Sequence, residues 1–159
     1  MVQNETMRIT RPRRVERSYT QTLDAEPAAV FPLLCPVREA EWIEEWDPIV
    51  VYTDSGLAER DCVFQTADGE ETATWVITDY DPERYRLVFA KVTADRLLTV
   101  IRIRLDPDNG ATRARVSYSH TALKDEATRF LEAFTEEAYR SFMMRWEADL
   151  NAFLKGSGT

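Results

Sequence analysis

Apolar residues follow two periods along this chain, and the change between them outlines its architecture. Residues 126–155 contain neither proline nor glycine, and Phe130, Leu131, Phe134, Ala138, Phe142, Trp146, Leu150 and Phe153 recur there at the spacing of one helical face. A straight helix over that stretch would run roughly 45 Å, the width of a small domain. From Trp46 to Thr121 the period is instead two. Turn formers such as Asp54-Ser55-Gly56, Ala67-Asp68-Gly69-Glu70, Asp81-Pro82-Glu83-Arg84 and Asp106-Pro107-Asp108-Asn109-Gly110 divide that region into short segments. The pattern predicts strands at 49–52, 62–65, 72–80, 85–93, 97–105 and 112–121, joined as an antiparallel meander. Before them, residues 15–23 read as a first strand. A short helix over 28–34 comes next, with Asp24 as candidate N-cap and Pro27 in its first turn, then a second over 37–44.

The strands also have faces. Arg102 and Arg104 alternate with Ile101, Ile103 and Leu105, and Arg113, Arg115, Ser117 and Ser119 alternate with Ala114, Val116, Tyr118 and His120. By the same parity Phe64, Trp75, Ile77, Leu87 and Phe89 turn inward. An antiparallel sheet with one solvated face shows this alternation, and its other face needs an apolar cover. The terminal helix is the candidate cover. One long helix held against one curved sheet leaves a hollow between them.

Composition narrows the setting. With 159 residues and 44% hydrophobic content, the chain is expected to form one domain over 15–155, with an N-terminal arm at 1–14 and a tail at 156–159. The two cysteines, Cys35 and Cys62, form no CxxC pair and read as buried small hydrophobes. No apolar run is long enough to span a bilayer, and the first residues lack the apolar core of a secretory signal, so a cytoplasmic location is expected. A net charge of −8 argues against a nucleic-acid partner. The one basic group, Arg8, Arg11, Arg13, Arg14 and Arg17, reads as a solvated leader before the first strand.

The order strand, two short helices, six-strand meander and long helix resembles the helix-grip fold of the START-related SRPBCC superfamily. That superfamily contains the birch pollen allergen, polyketide cyclases/dehydratases and chaperone-ATPase activators. Glu26-Pro27-Ala28-Ala29-Val30-Phe31 looks like its first helix, Trp46-Asp47-Pro48 like the entry to its second strand, and Asp79-Tyr80-Asp81-Pro82 like the turn after its fourth, a strand that often carries an aromatic such as Trp75. The resemblance spans roughly residues 15–155. It implies an α+β fold with a seven-stranded antiparallel curved sheet wrapped around the long helix. It further implies a deep pocket for lipids, polyketides or other hydrophobic molecules, and it supplies no catalytic set that these residues match.

Face parity and resemblance together name a lining: Phe64, Trp75, Phe89, Ile101, Ile103, Val116, Tyr118, His120, Phe134, Ala138 and Phe142. The expected partner is a small hydrophobic ligand, taken up by a monomer or homodimer. Trp42, Trp46 and Trp146 are further aromatic candidates, more often ordinary core in such positions. His120 is the only histidine. With Tyr118 two residues before it, it could form the acid–base pair of a cyclase or dehydratase, although a histidine near a strand end is more often a satisfied core residue. On the helix, Thr135 and Asp149 sit beside the apolar stripe as candidate polar spots, Asp149 with Arg145 as an alternative partner four residues away. Glu39, Glu41, Glu44, Glu45 and Asp47 read as a solvated acidic face rather than a cation site, and neither metal nor cofactor is expected. A protein-interaction module would instead expose an apolar patch, for which Tyr139, Met143 and Met144 are the hints.

Overall fold

The computed structural model describes residues 6–157. The arm residues 1–5 and tail residues 158–159 lie outside that range. β1 (Arg13–Leu23) leads into α1 (Pro27–Val30) and two 3₁₀ turns, Phe31–Leu33 and Arg38–Glu41. β2 (Val50–Tyr52), β3 (Val63–Asp68), β4 (Glu71–Asp81), β5 (Arg86–Thr93), β6 (Leu97–Asp108) and β7 (Ala111–Ala122) come after them. A 3₁₀ turn, Asp125–Ala127, then opens the C-terminal helical region, α2 (Thr128–Ala133) and α3 (Glu136–Ser157). The strands form one antiparallel sheet in the order β1-β7-β6-β5-β4-β3-β2, so the first strand pairs with the last. This is the α+β helix-grip architecture. Among the described residues, no helix is long and apolar enough to cross a membrane.

Each hairpin arises from local chemistry. β6 and β7 turn through Asn109 and Gly110, both at positive φ (49° and 86°), the backbone that an Asn-Gly pair adopts in a two-residue turn. That turn lets β6 run through Pro107 to Asp108, further than the strand read from the sequence. In β6, Leu97, Thr99, Ile101, Ile103 and Leu105 are buried and alternate with more exposed residues, so the pleat sends one set into the concave face. α1 is entered at Glu26, with Pro27 in its first turn. No side chain caps it, and Asp24 instead offers its main-chain N–H to the Asn151 side chain.

The long helix departs from the sequence reading. It is not continuous over 126–155. Phe134 leaves helical geometry (φ −82°, ψ 63°), and Thr135 restarts the helix by accepting the Ala138 N–H on its hydroxyl at 3.1 Å. Glu136 and Glu137 then occupy the first turn, where the helix dipole favours acids. Arg17 Nε donates to the freed Phe134 carbonyl at 3.3 Å, so this member of the basic group is tied to the break. Arg13 likewise pairs with Asp125. Thr135 is therefore a cap, not a polar spot in a pocket.

The break resets the rotation of α3. The helix face turned to the sheet carries Tyr139, Met143, Trp146 and Leu150, while Ala138 is exposed. Tyr139 and Met143, which as exposed residues would have hinted at an interaction patch, are among the most buried side chains. Four polar contacts fix this rotation. Tyr139 donates to the Val116 carbonyl, Gln21 Nε2 to the Met143 carbonyl (3.1 Å), the Thr22 N–H to Glu147, and Asn151 Nδ2 to the Thr22 carbonyl (3.0 Å). Truncating Tyr139 to Ala is expected to destabilise the fold by about 3–5 kcal/mol, as for other large buried aromatics. Ala138→Leu should stay within about 0.5 kcal/mol of the parent. Urea unfolding of the two variants checks which face of α3 is inward.

Candidate functional site

The inward pleat builds the site in rows. Register places Phe64, Trp75, Lys91, Thr99 and His120 side by side across β3 to β7, and Ile77, Phe89, Ile101 and Tyr118 in the adjacent row. Between these rows, α3 and the segment after α1 lies an open-mouthed cavity of about 430 Å³. Its sheet wall is Phe64, Trp75, Phe89, Lys91, Ile101, Ile103 and Tyr118. α3 contributes Phe142, Arg145, Trp146 and Asp149, and the segment before β2 contributes Glu39, Ile43, Glu44 and Trp46.

Of the residues named from the sequence, Phe64, Trp75, Phe89, Ile101, Ile103, Tyr118 and Phe142 lie in this lining. Four do not. Val116 is fully buried core one row further along β7. Phe134 sits at the helix break, edge-on to His120. Ala138 is turned outward by the break, so its small side chain makes no room in the cavity. His120 is buried at the end of its row and faces aromatic rings rather than the void.

Glu39 and Lys91 are lining residues that sequence reasoning missed. Trp42 and Trp46 fasten the segment that carries Glu39, donating their indole N–H groups to the Leu33 (2.9 Å) and Pro36 (2.7 Å) carbonyls. The resulting 3₁₀ turn puts Glu39 on the side of Trp42 and Ile43, three and four residues on, which was the available signal. Glu39 is thus buried, whereas Glu41, Glu44, Glu45 and Asp47 are exposed. Lys91 is placed by strand parity, two residues beyond Phe89.

The polar groups of the cavity are sparse and ill-partnered. Glu39 is 7% exposed, and burial lifts its carboxyl to about 8. Tyr118 is driven well above the usual phenol range by burial, with Tyr139 and Glu39 adding to the effect, so it stays a neutral donor. Lys91 lays its ammonium 4.6 Å from the Trp75 ring centroid. Desolvation lowers its pKa, nearby Asp68 opposes that, and Arg96 reinforces it. Trp75 donates to Thr66 (2.9 Å), but the buried Nε1 of Trp146, whose ring stacks on Trp42, has no acceptor among the described residues. At the rim Arg145 and Asp149 are both exposed. Among the described residues, no group of three His, Cys, Asp or Glu is placed to hold a metal ion.

His120 is a satisfied core histidine. Its Nδ1 hydrogen-bonds the Thr99 hydroxyl at 2.7 Å, and the Phe130 and Phe134 rings pack edge-on at 4.9 and 4.4 Å. Tyr118 lies 5.9 Å away ring to ring. The two residues therefore do not converge on one point of the cavity as an acid–base pair requires. Burial, helped by Lys91, lowers the imidazole to about 4. Because the folded value lies below the unfolded one, His120 favours the folded state fully above about pH 6.5, and that contribution is lost as pH falls toward 4. An NMR titration should therefore find the single imidazole neutral throughout pH 5.5–8, with a midpoint near 4. A midpoint near 6.5 would contradict the burial of the ring.

No family model matches the sequence, and no curated protein matches it. Solved structures do match. The norcoclaurine synthase from Thalictrum flavum, in complex with dopamine and hydroxybenzaldehyde, superposes with a TM-score of 0.64 at 10% identity, over 98% of each chain. Ara h 8.0201 gives 0.59 at 14% identity, over 88% of this chain and 94% of its own. The Mll3558 protein from Rhizobium loti gives 0.62 at 14% identity, over 91% and 99%. At these identities the likeness is one of fold. The chain has the helix-grip fold of the birch-pollen-allergen type, with its cavity between sheet and C-terminal helix.

Proposed function

We propose that this protein binds a small, largely apolar molecule in the cavity between the concave sheet and α3. The observation that carries the reading is the lining itself. Seven of its residues are aromatic, from Trp46 and Phe64 to Trp146, and they enclose about 430 Å³, within the usual range of small-molecule sites. A core meant only for stability would close such a space, because interiors pack to crystal-like density and voids are destabilising. The neighbouring norcoclaurine synthase, of the same fold, is seen with dopamine and hydroxybenzaldehyde, and those aromatic molecules agree in class with this lining.

A cyclase or dehydratase acting through Tyr118 and His120 is less well supported, because His120 is spent on Thr99 and the phenylalanines. The interaction-module reading loses Tyr139 and Met143 to the core. The test is a titration with N-phenyl-1-naphthylamine, an uncharged fluorophore, monitored through probe emission and the cavity tryptophans. Saturable one-to-one binding is expected. Ile101→Trp, which fills the void from the sheet wall, should weaken it by about tenfold or more. Unaltered affinity in that variant would place the probe elsewhere and remove the reading.

A further inference from the structure

The cavity holds a carboxyl group that the protein leaves unanswered. Glu39 is more than nine-tenths buried and lines the void, and among the described residues no hydrogen bond or ion pair engages its side chain. Burying an unpartnered acid in apolar surroundings is costly, and groups of this kind in native proteins call for an explanation. The neighbouring unused donor, Trp146 Nε1, lines the same cavity. We propose that the cavity is built for a molecule with an apolar or aromatic body and a cationic ammonium head, with Glu39 as the counter-ion that receives the head. This inference rests on the binding reading above and adds the chemical class of the ligand.

Two features favour a cation over a neutral donor. Ammonium groups are attracted to the faces of tryptophan, tyrosine and phenylalanine, which make up much of the wall, and the protein's own Lys91 already places an ammonium on Trp75. The rim carries two acids, Glu44 and Asp149, against one base, Arg145, on a chain of net charge −8. Lys91 lies on β5 in the row of Trp75 and His120, whereas Tyr118, whose phenol Glu39 perturbs, is in the next row on β7.

Burial raises the Glu39 carboxyl to about 8, which favours its protonated form near neutral pH. A permanent cation selects the ionised form, so binding expels a proton and affinity rises with pH up to and through about 8. The charged or titratable groups around Glu39 are Cys35, Arg38 and Glu41 on its own segment, Glu44 after it, Lys91 on β5, Tyr118 on β7, and Arg145 and Asp149 on α3. Tyr118 stays neutral over this range. Loss of a proton from Lys91 would shift affinity in the same direction, so Lys91→Met serves as the control.

The experiment compares trimethyl(2-phenylethyl)ammonium with its uncharged carbon isostere, (3,3-dimethylbutyl)benzene, each displacing N-phenyl-1-naphthylamine. At pH 8.5 the wild type should prefer the ammonium by about tenfold or more, with the preference shrinking toward pH 6. Roughly one proton should be released per cation bound near pH 7 in weakly buffered solution. Glu39→Gln should abolish preference, pH dependence and proton release, the first two read as the ratio of ammonium to isostere affinity within that variant; Lys91→Met should retain the pH dependence of that ratio. Equal binding of the two isosteres by the wild type overturns the proposal and leaves the pocket reading intact. So does a preference that survives Glu39→Gln or a pH dependence that vanishes in Lys91→Met. Failure of the naphthylamine to bind the wild type overturns both. Should Glu39→Gln not fold, proton release by the wild type decides: its absence overturns the cation proposal.

Discussion

The free edge of β1 and the helix that covers it govern this structure. β1 ends the sheet, so its outer N–H and C=O groups have no strand to pair with and would template association if left open. α3 answers them with side chains. Glu147 takes the Thr22 N–H, while Asn151 takes the Asp24 N–H and donates to the Thr22 carbonyl. Gln21, itself buried, reaches the Met143 carbonyl from the strand side. The bonds from Glu147 and Asn151 satisfy main-chain groups that lack a strand partner, and with Gln21 they set the rotation of α3. With Glu147 and Asn151 turned to the edge, Tyr139, Met143 and Leu150 pack inward, and the helix spans the concave sheet without filling it.

That geometry explains why the cavity lies toward β3 to β7 rather than under β1. On the β1 side, Tyr139, Met143, Gln21 and Val116 pack solidly. On the other side the helix offers Phe142, Trp146 and the rim pair Arg145 and Asp149, and the gap is walled by the segment that Trp42 and Trp46 pin in place. Burial shifts the acid and the base of this region in opposite senses, Glu39 up and His120 down, so both are uncharged near neutrality. They differ in their partners. His120 has Thr99 and two phenyl edges, whereas the Glu39 side chain has no hydrogen bond or ion pair among the described residues and lines the cavity.

Much of this was readable in one dimension. Period-two alternation with Gly-, Pro- and Asn-bearing turns located the meander, because a pleated strand exposes every second side chain whatever lies above it. The same parity marked Phe64, Trp75, Phe89, Ile101, Ile103 and Tyr118 as inward, and it applies equally to Lys91, which only its charge concealed. Glu39 was hidden by its neighbours. Among Glu41, Glu44 and Glu45 it looks like one more solvated acid, and only the two indole hydrogen bonds of Trp42 and Trp46 turn it inward.

The helix shows the division most clearly. Its composition without proline or glycine, and its recurring aromatics, determined that the chain would end in helix against a sheet. Local propensity did not determine its phase. Thr135 followed by two glutamates is a capping signal that a longer hydrophobic stripe masked, and the interruption is held by Arg17 from the opposite end of the sequence. The sequence by itself determined the elements, their order and the inward set of each strand, because these depend on near neighbours. The inward face of α3 and the exclusion of His120 from the cavity were decided by tertiary structure, because each depends on contacts between residues far apart in the chain, while the burial of Glu39 needed both the indole bonds that close its own segment and the sheet and helix that segment packs against.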